Sequence, residues 1–326
     1  MLRFVDLALI AVIALVTLTA AHPAVSQVFP TKPIRVVTQF VPGSSGDNAL
    51  RFITPPLSES LGQAVVIDNR PGAGGVIAGE LVMRSAPDGY TLLSSTSAAH
   101  IIRSFLVKNV SFDPVKDFTP VTQLIDVTAV IVVNPSTPFQ SLRDLLDQAR
   151  KTPGKLAFGT SGIGSEHHLT AEQIMQRTGV SLVHVPYKSG AQAMLDAAAG
   201  QLPVAIGTYP GAQPLIASGK LRPIAVVQGK RIVELPNVQA VPEIVPGFET
   251  PAAWTGLFGP IGLPAALARR LQSEFAKAMS MPEAHAKLVA GGYEILGTAP
   301  EEFAALIRHQ IDIIGRIVKA AGIKPE

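Results

Sequence analysis

Twice along this chain a short apolar run leads into a loop of small residues and then into a helical pattern. The first loop is Phe40-Val41-Pro42-Gly43-Ser44-Ser45-Gly46-Asp47, after the strand-like run 34–40. The second is Phe158-Gly159-Thr160-Ser161-Gly162-Ile163-Gly164-Ser165, after the run 155–158. Glycine lets a backbone turn sharply and come close to a ligand. A helix N-terminus presents unpaired N–H groups and the positive end of its dipole. Each strand–loop–helix unit is therefore a natural anion cradle. Two of them imply two half-sites able to close on one small acid.

The alternation continues around both loops. Strands are expected at 34–40, 64–68 and 90–95, with helices at 47–61 and 76–85 between them. Short βαβ connections of this kind predict a mostly parallel sheet. Residues 111–120 read as irregular, and 121–133 as one or two strands carrying the chain to a second lobe. There the pattern repeats, with helices at 141–151, 165–178, 191–199 and 211–218, and strands at 155–158, 182–185, 204–206 and 222–227. Gly200 and Gly219 stand where helices end in a left-handed residue. Proline and glycine cluster from 235 to 264, and three helices follow at 264–280, 282–290 and 300–321, each with proline near its first turn. These helices need a sheet to cover, so the C-terminal segment is expected to return to the first lobe. The expected division is residues 1–26 as a signal peptide, 27–128 plus 250–326 as lobe 1, and 129–249 as lobe 2.

The signal peptide is read from Arg3, the apolar run 7–21 and the small-x-small site Ala24-Val25-Ser26 before Gln27. That run is shorter than a bilayer requires. Export to the periplasm follows, with cleavage near Ser26. Asp6 is unusual in such a leader. The chain of 326 residues has room for two cores. It has no cysteine, which excludes thiol catalysis, cysteine zinc sites and iron–sulfur clusters. Net charge is +3, with Lys and Arg scattered, so a nucleic-acid surface is not expected.

Several catalytic motifs nearly form and fail. Gly159-Thr160-Ser161-Gly162-Ile163 has isoleucine where the nucleophile elbow needs glycine. Gly72-Ala73-Gly74-Gly75-Val76-Ile77 misses the last glycine of a dinucleotide fingerprint, and no phosphate-binding P-loop is present. His168 and Glu172 are four apart on a helix, but two ligands do not make a metal site, and a helix-surface contact explains them. Asp47 reads either as a first-turn acid that orders its loop or as an acceptor for a ligand donor. Ser44 and Ser45 read as turn residues or carboxylate donors. Arg70 reads as an anion ligand or, since it follows a different strand, as a partner for Asp68 or for a lobe edge. Tyr187-Lys188 lies at a strand's carboxyl end, where open α/β sheets bind ligands. A carboxylate site without a dedicated arginine is feasible. Charge-assisted hydrogen bonds contribute about 1.5–3 kcal/mol each, a helix N-terminus up to ~2 kcal/mol, and a micromolar complex needs ~8 kcal/mol.

Taken in order, further segments carry a resemblance. They are Phe29-Pro30-Thr31-Lys32-Pro33-Ile34, then Val66 through Gly75, Pro87-Asp88-Gly89-Tyr90-Thr91-Leu92-Leu93 and Asp113 through Val121. Pro153-Gly154-Lys155-Leu156, His184-Val185-Pro186-Tyr187-Lys188, Ser218-Gly219-Lys220-Leu221-Arg222 and Ala321-Gly322-Ile323-Lys324 follow. Together they resemble the Bug family, the periplasmic substrate-binding proteins of tripartite tricarboxylate transporters. The resemblance covers nearly the whole mature chain. It implies a two-lobed type II periplasmic-binding-protein fold, with a mixed, mostly parallel sheet in each lobe and a ligand cleft between them. It also implies that Pro42 to Asp47 and Gly159 to Ser165 grip a carboxylate, with Ser94-Ser95-Thr96 and Tyr187-Lys188 lining the cleft.

Two departures stand out. Ser44 replaces the second of the family's paired glycines. Gly207-Thr208-Tyr209-Pro210 stands where the family often has Phe-Asp, so Thr208 and Tyr209 reshape one wall, and Tyr209 could stack on a ring. The expected ligand contacts are Pro42, Gly43, Ser44, Ser45, Asp47, Ser95, Thr96, Gly159, Thr160, Ser161, Gly164, Ser165, Tyr187, Lys188, Thr208 and Tyr209. No catalytic residue, metal or cofactor is expected. The expected protein is a monomeric, non-enzymatic receptor for a di- or tricarboxylate, an acidic amino acid or an aromatic acid, handing its ligand to a membrane permease. The alternatives are a ligand sensor for a signalling partner and a hydrolase using Ser161.

Overall fold

The computed structural model describes residues 29–325 apart from Asn109 and Ala252. The expected signal peptide, 1–26, lies outside the described residues. Lys32–Glu326 forms one compact unit. Its strands are β1 (Ile34–Thr38), β2 (Val65–Asn69), β3 (Thr91–Thr96), β4 (Phe118–Val127), β5 (Ala129–Val133), β6 (Ala157–Thr160), β7 (Val183–Pro186), β8 (Val204–Thr208), β9 (Arg222–Val227), β10 (Thr255–Pro260) and β11 (Tyr293–Ile295). Its main helices are α1 (Ser45–Leu61), α2 (Val76–Met83), α3 (Leu142–Lys151), α4 (Glu166–Thr178), α5 (Gly190–Ala198), α6 (Tyr209–Ala217), α7 (Ala265–Ser280), α8 (Pro282–Ala290) and α9 (Pro300–Ala320).

Two sheets result, ordered β11-β4-β10-β3-β1-β2 and β7-β6-β8-β5-β9. The parallel pairs are those of the βαβ units, β2–β1–β3 and β7–β6–β8. Strands β4, β10, β11, β5 and β9 pair antiparallel. Both sheets are therefore mixed, and the expectation of mostly parallel pairing holds for the βαβ units alone. Thr128 is the one residue between β4 and β5, so the chain leaves one sheet and enters the other almost without a turn. It returns between β9 and β10. Helices α7 and α9 then pack on β4, and α8 packs on α1.

Local chemistry explains most boundaries. Ser141 opens α3 with a capping box: its Oγ accepts from the Asp144 N–H, and Asp144 Oδ2 accepts from the Ser141 N–H at 2.9 Å. Gly200 and Gly219 follow their helices with φ of 77° and 71°. Three segments depart from the sequence reading. Strand β4 begins at Phe118, inside the stretch expected to be irregular. Pro120 is tolerated there because β4 pairs only with β10 at that height, and β11 joins it farther along, at Ile125–Val127. Strand β10 lies within the proline- and glycine-rich region, where Gly256 admits the Phe303 ring against the backbone. A π-helical turn, Ala98–Ile102, runs into a helical turn, Arg103–Leu106, where no element was expected.

Each sheet has its own core. One collects Trp254, Phe258, Phe303 and Phe118 under α2 and α9. His100 stacks on Phe258 at 3.9 Å between ring centres, and burial lowers its pKa to about 4, so it is a neutral part of the core. The other core collects Ile131, Phe158, Ile174, Val204 and Ile206. Phe258 is fully buried at the junction of β3, β4 and α9. Phe258→Ala is expected to lower unfolding free energy by about 3–5 kcal/mol in a denaturant titration. A loss below ~1 kcal/mol would contradict this placement.

Candidate functional site

The first small-residue loop joins β1 to α1 and is locked from beneath by Asp47. This carboxylate is fully buried. Its Oδ2 accepts from the Gly43 N–H at 2.8 Å and from Arg51 Nε at 2.7 Å, and its Oδ1 accepts from Asn69 Nδ2 at 2.8 Å. Burial works to raise its pKa, but the bonds from Arg51, Gly43 and Asn69 outweigh it and the net shift is downward. Of the two readings open to Asp47, the structure places it as the residue that orders the loop. Gly43 takes φ of 82°, a conformation glycine adopts without strain. Pro42 and Ser45 are exposed. The Ser45 Oγ meets the Tyr293 hydroxyl, which in turn donates to the Ser45 carbonyl at 2.7 Å. Ser44 occupies the N-cap of α1, yet its Oγ is enclosed and has no hydrogen-bond partner. Of the readings open to Arg70, the structure shows the pairing with Asp68, at 2.9 Å, and Arg35 reaches the same carboxylate.

The second loop joins β6 to α4. Thr160 is buried, and its Oγ1 accepts from the Gly162 N–H at 3.2 Å and contacts His184 Nε2 at 2.7 Å. Ser165 caps α4, accepting from the His168 N–H and donating to the Gly162 carbonyl at 2.8 Å. The Gly164 N–H donates to His168 Nδ1 at 3.0 Å, so the His168 proton is on Nε2, 3.3 Å from Glu172. His168 is buried, and its pairing with Glu172 lies beneath the loop, not on an exposed helix face. Among the described residues no group of three metal-ligating side chains occurs.

Ser161 Oγ lies 2.9 Å from His167 Nδ1, a contact no motif revealed. It makes a poor nucleophile pair. Burial holds the His167 pKa down, which weakens it as a base, and its Nε2 is enclosed without a partner to orient the ring. Tyr187 packs its ring against Gly159 and donates its hydroxyl to Asp196 Oδ2 at 2.8 Å, so that hydroxyl is committed within the lobe. Lys188 is exposed beside it.

A cavity of about 430 Å³ brings the two sides together. Thr96, Gly164 and Ser165, all expected, line it with Ile163 of the same loop and with Gln39, Phe40, Ile102, Leu106 and Arg103, which were not among the expected contacts. Ser95 is buried at the end of β3 next to it. Beside the cavity, Ser97 Oγ donates across to Glu166 Oε1 of α4 at 3.0 Å. Thr208 and Tyr209 lie elsewhere. The Tyr209 N–H donates to the Thr128 carbonyl at 2.7 Å, and its ring lines a separate cavity of about 540 Å³ with Lys230, Val233, Tyr293 and Glu294. Tyr209 thus does not share a wall with Gly164 and Ser165, because α6 starts beside the crossover at Thr128.

With this geometry, a model of the tripartite tricarboxylate transporter family receptor matches residues 49–323. The chain belongs to that family. Among relatives of this receptor, the Bordetella pertussis protein BugT is 32% identical over 320 residues, covering 97% of this chain and 98% of its own length. The solved R. palustris protein Rpa4515, described with adipate, is 34% identical with a TM-score of 0.76, covering 91% of this chain and 100% of that one. MatC of Rhodopseudomonas palustris, described with bound malate, is 27% identical with a TM-score of 0.71, covering 89% and 100%. The receptor therefore has the two-lobed periplasmic-binding-protein architecture, as the resemblance to the Bug family implied. Among the described residues no helix is long and apolar enough to cross a membrane.

One acid near the crossover is out of the ordinary. Asp126 is buried, and burial pushes its pKa up to about 7, with repulsion from Glu294 and Glu166 adding to the effect. The folded state therefore holds a proton there that the unfolded chain, with an ordinary value of 3.8, gives up. Stability from this group is full at low pH and is lost as pH rises through about 7. Asp126→Asn is expected to raise the melting temperature more at pH 8 than at pH 5. An equal effect at both would contradict a protonated Asp126.

Proposed function

We propose that this receptor is a periplasmic solute-binding protein. It captures a small organic carboxylate by closing its two lobes, 27–128 plus 250–326 and 129–249, and delivers it to a tripartite tricarboxylate transporter permease. The observation that carries this reading is the pair of small-residue loops at the carboxyl ends of β1 and β6, each opening a helix. One holds an enclosed hydroxyl, Ser44 Oγ, without a partner. Helix N-termini and hydroxyls of this kind favour an anion, and the ligands described for the two solved relatives, adipate and malate, are dicarboxylic acids. Removal of the leader near Ser26 delivers a monomer to the periplasm.

Binding follows from several modest terms acting together, each charge-assisted hydrogen bond contributing about 1.5–3 kcal/mol. Closure excludes water and strengthens them. The test is a thermal-shift screen of the purified protein against di- and tricarboxylates, acidic amino acids and aromatic acids. An acid present at 100 times its dissociation constant adds about 2.7 kcal/mol of stability. Ser44→Ala and Ser161→Ala are each expected to weaken the best acid about tenfold. A folded protein that no acid stabilises would contradict the proposal, as would release of product from simple esters that is lost in Ser161→Ala.

A further inference from the structure

Arg103 is a cation without an anion. Its Nε is enclosed and makes no hydrogen bond, and among the described residues no acid pairs with it. The guanidinium lies against Gly74, where a Cβ would collide with it, so the backbone itself makes room for the group. Arg103 is half-buried, and an N–H donor held away from water without an acceptor is costly. A guanidinium also offers paired N–H donors in the geometry of a carboxylate's two oxygens. Most of the surface around it is apolar, with Phe40, Ile102, Leu106 and Ile163 contributing walls, and Gln39, Thr96 and Ser165 add polar edges. Ile163 is 63% exposed, a large apolar side chain at the tip of the second loop.

We propose that Arg103 and these four side chains form a subsite for the far carboxylate of an α,ω-dicarboxylate with an unsubstituted methylene spacer. This rests on the reading that the two loops hold the near carboxylate. Arg103 binds the far carboxylate as a forked donor, and the apolar walls cover the spacer. Each methylene that the walls bury is worth about fourfold in affinity, whereas a hydroxyl on a spacer held against Phe40, Ile102, Leu106 and Ile163 loses water to an apolar surface and weakens binding. The subsite therefore selects long, plain diacids over hydroxylated ones and over monoacids of equal length.

Calorimetric titration of the purified receptor with adipate, hexanoate and malate tests this, using wild type, Arg103→Gln and Arg103→Lys. Wild type is expected to bind adipate at least tenfold more tightly than hexanoate, and more tightly than malate. Arg103→Gln is expected to lose about 10–100-fold for adipate and to bind hexanoate within about threefold of wild type. Arg103→Lys, which keeps the charge but not the fork, is expected to fall between them, and it carries the test if Arg103→Gln fails to fold by circular dichroism. An adipate preference that survives Arg103→Gln, or malate binding more tightly than adipate, would overturn the subsite. Equal binding of adipate and hexanoate by wild type would remove the subsite alone, whereas no binding of any acid would remove the carboxylate reading with it.

Discussion

The cleft depends on how little chain separates the two sheets. Strand β4 ends at Val127, β5 begins at Ala129, and Thr128 alone lies between them. A single residue cannot absorb a large excursion, so the strands that flank β4 and β5 are brought to a common junction. The Thr128 carbonyl accepts from the Tyr209 N–H, which fixes the start of α6 at the same place. Asp126, two residues before Thr128, is buried, and burial pushes its pKa up to about 7. A polar group is tolerated there because burial favours its neutral form and it accepts from the Val127 N–H at 2.7 Å.

On this frame, the two loops are held by different chemistry. The first is tied by a buried carboxylate, Asp47, whose charge is matched by Arg51, Asn69 and the Gly43 N–H. The second is tied by imidazoles. His168 accepts from the Gly164 N–H, His184 contacts Thr160 and His167 contacts Ser161. His184 stacks on His168 at 4.0 Å, and burial together with that neighbour lowers its pKa to about 4. The imidazoles therefore act as struts under the loop. Neither device leaves the loops free to collapse, and preorganised donors bind an anion with less ordering cost.

The sequence made the βαβ units legible because their glycines, small residues and apolar runs are local signals. Strand β10 was hidden because Gly256, Gly259 and Pro260 weaken any strand pattern; its pairing with β3 and β4 on either side supplies what propensity does not. Strand β11, three residues long, has no periodicity to read. Gly164, Ser165 and Thr96, which line the cavity, were legible because they lie on or beside the loops. Arg103 was missed for a physical reason: a charge draws attention only when its partner is absent, and that absence is a property of the folded cavity. The Ser161–His167 contact is likewise set by how the Gly162–Gly164 turn folds back onto α4. That Tyr209 lines a second cavity, apart from Gly164 and Ser165, was not legible because strand order alone does not say which side of the crossover a helix start will face.

The two-loop cleft stands or falls on where an acid binds. A crystal structure of the receptor grown with adipate would show this directly. One carboxylate is expected within hydrogen-bond distance of the loop 42–47 or 159–165, with both loops in contact with the ligand and the two lobes closed over it. An acid bound instead in the cavity beside Tyr209 and Lys230, or on the outer surface of either lobe, would contradict the two-loop cleft.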